Sequence, residues 1–141
     1  ALQGPTRSFM PYMGTFHGIA VKILRQEADA LNLDRNFVIY DTDDQKRLLT
    51  DIIKNMNIDS KIYKENSMLG KISDFKNKLM TTSDVGQMAL QDYRQLNVSK
   101  IYNQYQEALK KNNALDFDDL IMKTVQLFVE CPEVLESYLV R

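Results

Sequence analysis

The chain has 141 residues, 44% hydrophobic and 26% charged, with a formal net charge of −1, which suits one soluble globular domain with a real core. No apolar run approaches the roughly 20 residues of a membrane span, and near-neutral charge gives no electrostatic reason to expect a nucleic-acid partner. A single cysteine, Cys131, excludes an internal disulfide and fits a reducing cytoplasm; with the lone His17 far from it in sequence, it makes no zinc site.

No signal-peptide block opens the chain, and the missing initiator Met points to a processed chain or an excised fragment. The first informative stretch is Pro11-Tyr12-Met13-Gly14-Thr15-Phe16-His17-Gly18, behind which an apolar pattern runs at helical spacing through Ile19, Ala20, Ile23, Leu24, Ala28 and Leu31. The spacing predicts a helix from about Thr15 to Leu31, with Thr15 as N-cap and Asn32 as stop. Free backbone N–H groups and the positive dipole end at such a helix start suit a phosphate. The Thr15 hydroxyl, the His17 imidazole and the Phe16 ring would add donors and a stacking surface for nucleic acid.

Asn36-Phe37-Val38-Ile39-Tyr40 reads as either a brief strand or an extended connector. Thr42-Asp43-Asp44-Gln45 offers a capping box for a helix burying Leu48, Leu49, Ile52, Ile53 and Met56, ended by Asn55 and Asn57. A further helix carries Met68, Leu69, Ile72, Phe75 and Leu79. Thr81-Thr82-Ser83-Asp84 caps the next, with Val85, Met88 and Ala89 inside. A longer helix presents Val98, Ile101, Tyr102, Tyr105, Ala108 and Leu109, and Asn112-Asn113 terminate it. The last strong helix opens at Leu115-Asp116 and buries Phe117, Leu120, Ile121, Val125 and Phe128 until Pro132 breaks it, leaving a short tail helix. The expected fold is a mainly α, compact multi-helix bundle with at most a short strand.

Candidate chemistry is sparse. No glycine-rich loop of the Walker type occurs anywhere, so the chain as given is not expected to hydrolyse a nucleotide. His17 lacks a nucleophile with an orienting acid, so no catalytic residue is assigned. Asp116, Asp118 and Asp119 open a helix, where carboxylates stabilise the positive dipole end; they lack the twelve-residue ligand order of a calcium loop, and no metal site is expected. Tyr93, Tyr102 and Tyr105 stand at helical spacing and read as core or half-buried surface. Between Lys61 and Met80 five lysines face only Glu65 and Asp74, a basic patch that suits a phosphate backbone or simply a solvated face.

The run from Pro11 to Arg25 resembles the segment that UvrD/PcrA/Rep-type superfamily 1 DNA helicases carry after the Walker A part of their first motor domain. The likeness continues through Leu33 to Asp41, Asp43-Asp44-Gln45, Ile72-Ser73 with Lys76-Asn77, and Asn112-Asn113-Ala114-Leu115-Asp116-Phe117-Asp118-Asp119-Leu120. It implies a helical insertion (subdomain 1B) within a RecA-like motor domain: residues 1–32 and 112–141 belonging to that first RecA-like domain, and 33–111 forming the insertion. It implies a parent that unwinds DNA 3′ to 5′ using ATP and Mg2+, bound by neither end of this piece, because the Walker A and acidic magnesium motifs would lie before and after it. The implied partners are single-stranded DNA, a duplex junction and the remaining helicase domains in cis, with no membrane. On this resemblance Gly14, Thr15, Phe16, His17 and Phe117 would lie along the single strand. Lys71, Lys76 and Lys78 would face the duplex, and Asp116, Asp118 and Asp119 would cap a helix. Gly18 departs from the serine of many relatives and removes one hydroxyl. The competing expectation is a stand-alone helical module that binds a partner protein through an apolar groove.

Overall fold

The computed structural model describes residues 16–139. Among the described residues the chain is mainly helical, with seven α-helices and one short two-stranded parallel sheet. In order these are α1 (Phe16–Gln26), β1 (Val38–Tyr40), α2 (Thr42–Asn55), α3 (Glu65–Asn77), α4 (Thr82–Gln91), α5 (Leu96–Lys111), β2 (Ala114–Asp116), α6 (Phe117–Glu130) and α7 (Pro132–Leu139), with 3₁₀ turns at Ala28–Leu31 and Tyr93–Gln95. The chain divides into two compact units, Ala1–Val38 with Phe117–Arg141, and Ile39–Asp116.

In the first unit α1 buries Ala20, Val21, Ile23 and Leu24 along one face, and α6 packs against it. The helix expected to reach Leu31 stops at Gln26. Ala28–Leu31 tightens into a 3₁₀ turn, and Asn32 takes a left-handed conformation (φ 56°) that returns its N–H to the carbonyls of Ala28 and Asp29. Arg25 anchors the residue just before the following strand. Its Nη2 donates to the Phe37 carbonyl at 3.1 Å and its guanidinium lies 4.9 Å from the Phe37 ring centroid, tying that buried residue to α1. α6 is rotated relative to its expected stripe. Leu120 and Leu127 are fully buried, one helical repeat of seven apart, whereas Ile121 is 37% exposed and Phe117 and Phe128 are half-buried. α7 starts with Pro132 in the first helical position, where a missing N–H costs nothing. Its Tyr138 hydroxyl reaches Gln26 Oε1 (2.6 Å) and Glu27 Oε2 (3.0 Å).

The second unit holds one apolar core: Leu49, Ile52 and Ile53 from α2, Met68, Ile72 and Phe75 from α3, Val85 from α4, and Val98, Ile101, Tyr102, Tyr105 and Leu109 from α5, closed by Ala114 of β2. Leu48, Met56, Leu69 and Met88 flank it half-buried. Tyr102 and Tyr105 are core as expected; Tyr93 instead stands 83% exposed in a 3₁₀ turn. The turn is capped by Asp92, which the Arg94 backbone N–H and guanidinium hold below the usual carboxylate range. Thr81 and Asp84 form the expected capping box of α4. The box of α2 is shifted by one residue: Asp41 accepts from the Asp44 N–H and Asp44 answers the Asp41 N–H. Thr42 is therefore the first helical residue, and Gln45 is released from the cap into the interior.

Three of the helix ends in this unit share one device. After α2 and α5 the chain turns left-handed at Asn57 (φ 56°) and Asn113 (φ 53°), each N–H returning to a carbonyl three residues back, Lys54 and Lys110. α3 closes the same way with leucine. The Leu79 N–H donates to Lys76 O (2.9 Å), the Met80 N–H to Phe75 O (2.8 Å), and Leu79 sits at φ 57°. That conformation takes Leu79 out of the apolar stripe and leaves it 50% exposed.

The core is crossed by one polar cluster. Asp116, the last residue of β2, is fully buried, and its Oδ2 accepts from Lys76 Nζ (2.7 Å), the Tyr105 hydroxyl (2.6 Å) and Gln45 Nε2 (3.3 Å). Gln45 Nε2 also reaches the Tyr105 hydroxyl (2.9 Å), and Lys76 Nζ lies 5.0 Å from the Tyr105 ring centroid. α2, α3, α5 and β2 thus meet at one carboxylate.

Two stability predictions follow from these contacts. Lys76→Met strands a buried carboxylate and is expected to cost about 3–5 kcal/mol, most of it recovered in the double variant Lys76→Met/Asp116→Leu; urea denaturation of both variants measures this. Leu79→Gly removes a left-handed leucine that buries little, and is expected to stabilise by about 1 kcal/mol, read as a raised denaturation midpoint.

Candidate nucleic-acid interface

The helix start read from the sequence as a phosphate-binding turn is described from Phe16 onward; Gly14 and Thr15, with the capping role expected of Thr15, lie outside the described residues. Phe16 opens α1 with its side chain 80% exposed. His17 follows it half-buried, and its ring meets that of Phe117 edge-on, centroids 5.6 Å apart at an interplanar angle of 65°. This T-shaped geometry is the one aromatic quadrupoles favour. Both residues lie in the first unit, and the cause of their meeting is local: each stands in the first turn of its own helix, and α1 packs against α6. Two stretches a hundred residues apart in sequence therefore present an exposed ring, an imidazole and a second ring together.

The three acids at the start of α6 divide by environment. Asp118 and Asp119 occupy its first turn, where the dipole favours carboxylates, Asp118 half-buried and Asp119 buried. Asp116 precedes them in β2, and its carboxylate serves the Lys76, Tyr105 and Gln45 cluster, partners not expected from the sequence.

The lysine face needs correction. Lys71 on α3 and Lys78, which caps its C-terminus, are exposed, and Lys78 pairs with Asp74 at 3.1 Å across two largely solvated side chains, a contact worth little in water. Lys76 is not on that face: its side chain is wholly buried against Asp116, so its charge is spent inside the unit. The signal was present in the sequence. Lys76 stands four residues after Ile72 and eight after Met68, within the stripe that faces the core. Gln45 and Tyr105, its companions around Asp116, were not singled out as polar partners either; no spacing rule links residues from three helices.

Among the described residues no group of three or more His, Cys, Asp or Glu side chains is placed to hold a metal ion, and no helix is long and apolar enough to cross a membrane. What the first unit offers is a surface for stacking and hydrogen bonding, with His17 able to donate through a ring nitrogen and Phe16 open to a planar partner.

Residues 6–141 match the model of the UvrD/REP helicase N-terminal domain. The chain is 48% identical over 127 residues to the ATP-dependent DNA helicase PcrA of Staphylococcus aureus and 46% identical over 127 residues to that of Staphylococcus epidermidis. Each match covers 90% of this chain and 17% of the relative, so the chain spans about a sixth of the length of those helicases. With the family model covering nearly every residue, this chain belongs to the UvrD/REP helicase N-terminal domain family.

Proposed function

We propose that this chain is the part of an ATP-dependent 3′-to-5′ DNA helicase that grips DNA, with Phe16, His17 and Phe117 lining the path of the single strand. The observation that carries the reading is the edge-on pair of His17 and Phe117 beside the exposed Phe16. In that arrangement the Phe16 ring stacks on a base, His17 donates to a phosphate or sugar oxygen, and Phe117 fixes the imidazole while offering its own edge to the next base. Thr15 and the backbone at Gly14 would complete the phosphate contact. Lys71 and Lys78 are the candidates for the duplex ahead of the junction, as the exposed cations of α3 and its C-terminal cap. The family match across residues 6–141 supports a motor-domain piece over a free-standing interaction module.

On this reading the unit Ile39–Asp116 is the helical insertion, and Ala1–Val38 with Phe117–Arg141 belong to the first RecA-like domain. Those junctions stand a few residues later than the 32/33 and 111/112 expected from the sequence. ATP and Mg2+ belong to the remainder of the helicase. The chain contains no Gly-Lys-Ser or Gly-Lys-Thr step to cradle phosphates, so no step of ATP hydrolysis is assigned to these residues.

In the full helicase, Phe16→Ala and Phe117→Ala are each expected to weaken binding of a single-stranded oligonucleotide by about 1–3 kcal/mol, the usual worth of a base–aromatic stack. Fluorescence anisotropy over a salt series measures it, and binding equal to that of the unaltered protein by both variants would exclude the proposed strand path. Residues 1–141 alone are expected to release no phosphate from ATP, with or without single-stranded DNA and Mg2+, in a phosphate-release assay; turnover by that piece would contradict the assignment.

A further inference from the structure

A cavity of about 500 Å³ opens on the second unit, where the end of α2, the loop after it and the start of α3 come together, a size that specific ligand sites commonly have. Its apolar wall is the buried Ile53 of α2 with the half-buried Ile58 and Tyr63. Its charged walls are Lys54, in the last turn of α2, and Glu65, in the first turn of α3. Helix dipoles favour each charge where it stands, so the two are held apart at little cost. Among the described residues Lys54 makes no ion pair, and the one side-chain hydrogen bond of Glu65 is to Thr50 Oγ1 at 3.5 Å. The Tyr63 hydroxyl accepts from Asn97 Nδ2 at 3.1 Å and keeps its own proton to give, and Asn57 brings an amide that can both donate and accept.

Two opposite charges across an apolar floor ask for a ligand with no net charge, an apolar centre and amide groups. Nucleic acid is the wrong chemistry. From Thr50 to Glu65 the lysines at 54, 61 and 64 meet as many acids, at 51, 59 and 65, so a phosphate finds no net attraction and Glu65 repels it. Permanent cover by another domain fits poorly too, because lasting interfaces are apolar and depleted of charge at their centres. We infer that this cavity takes a short segment of a separate partner protein. One apolar side chain of the segment lies against Ile53 and Ile58, an acidic group meets Lys54, a basic group meets Glu65, and a backbone amide pairs with Asn57 and the Tyr63 hydroxyl. The inference is independent of the DNA reading, since none of these residues belongs to the candidate strand path.

The test uses the full helicase labelled at its isoleucine δ1 methyls, with the Ile53 and Ile58 signals assigned through Ile53→Val and Ile58→Val. The probes are acetyl-Glu-Leu-Lys-amide and acetyl-Lys-Leu-Glu-amide. At least one is expected to move the Ile58 signal saturably. Glycine in place of its leucine is expected to weaken binding by about tenfold or more, as loss of a buried leucine side chain does. Lys54→Ala and Glu65→Ala, whose methyl spectra report whether the fold is kept, are each expected to weaken it by up to about fivefold, the range of a solvated ion pair. In the double variant Lys54→Glu/Glu65→Lys the ranking of the two peptide orders is expected to reverse. Four results would overturn the inference. The first is no saturable shift with either peptide, and the second is binding indifferent to both charges or to the leucine. The third is a shift produced by inorganic phosphate or a duplex oligonucleotide instead, which would give the cavity to nucleic acid. The fourth is an Ile58 methyl shielded from a soluble paramagnetic agent in the peptide-free protein, which would mean that the helicase covers the cavity itself.

Discussion

The carboxylate of Asp116 is the constraint around which the larger unit is arranged. Apolar contacts are tolerant of small slides between helices, because one methyl replaces another at little cost. A buried carboxylate is not tolerant: each of its donors has to arrive within hydrogen-bond distance, or a charge is left unanswered in a medium where that is expensive. Lys76, Tyr105 and Gln45 come from three helices, so meeting this demand fixes the register of α2, α3 and α5 against one another and against β2. The surrounding core of Leu49, Ile72, Ile101 and Leu109 supplies the driving force; the polar cluster selects one packing among those the apolar side chains would allow.

The same cluster changes the electrostatic account of the surface. Of the lysines on α3 and its C-terminal cap, Lys76 is consumed internally and Lys78 is shared with Asp74, leaving Lys71 exposed with no ion pair of this kind among the described residues. Counting lysines along the sequence overstates the positive field available to a phosphate backbone, since a charge buried beside its counter-charge projects almost nothing into solvent.

Much of the architecture was readable because most of the helices expose one face and bury the other. The stripes of α2, α3 and α5 appear in the structure nearly residue for residue, and asparagines that tolerate a left-handed backbone stand just after α2 and α5. The misreadings have physical causes. Thr42 and Asp41 are both good caps, and one residue of difference decided whether Gln45 faced water or the core. Leu79 continues the apolar spacing of α3, but the helix has already closed through the Phe75 and Lys76 carbonyls. Leu115-Asp116 looks like the opening of a helix because acids cluster there; pairing of β2 with β1 overrides that local preference. Asp116, drawn inward by donors remote in sequence, carries no local mark of burial. The candidate site was legible to a different degree. Phe16 and His17 stood out as chemistry at a helix start, whereas their association with Phe117 came from family resemblance, because α1 and α6 meet only in three dimensions.

The balance between charge and aromatic surface indicates how a chain with net charge −1 would serve the proposed role. Affinity built on phosphate neutralisation falls steeply with salt and needs several free cations, which α3 does not supply. Stacking is nearly indifferent to salt and to sequence, because every base presents a ring face. On the proposed reading, an exposed Phe16 beside the His17–Phe117 pair would hold a base by stacking and let it go again. A deep electrostatic well would resist each step, whereas a ring contact of a few kcal/mol can be exchanged from one base to the next. What such an exchange requires is constancy of ring placement, and that is a demand on the backbone around residues 16 and 117 rather than on surface charge.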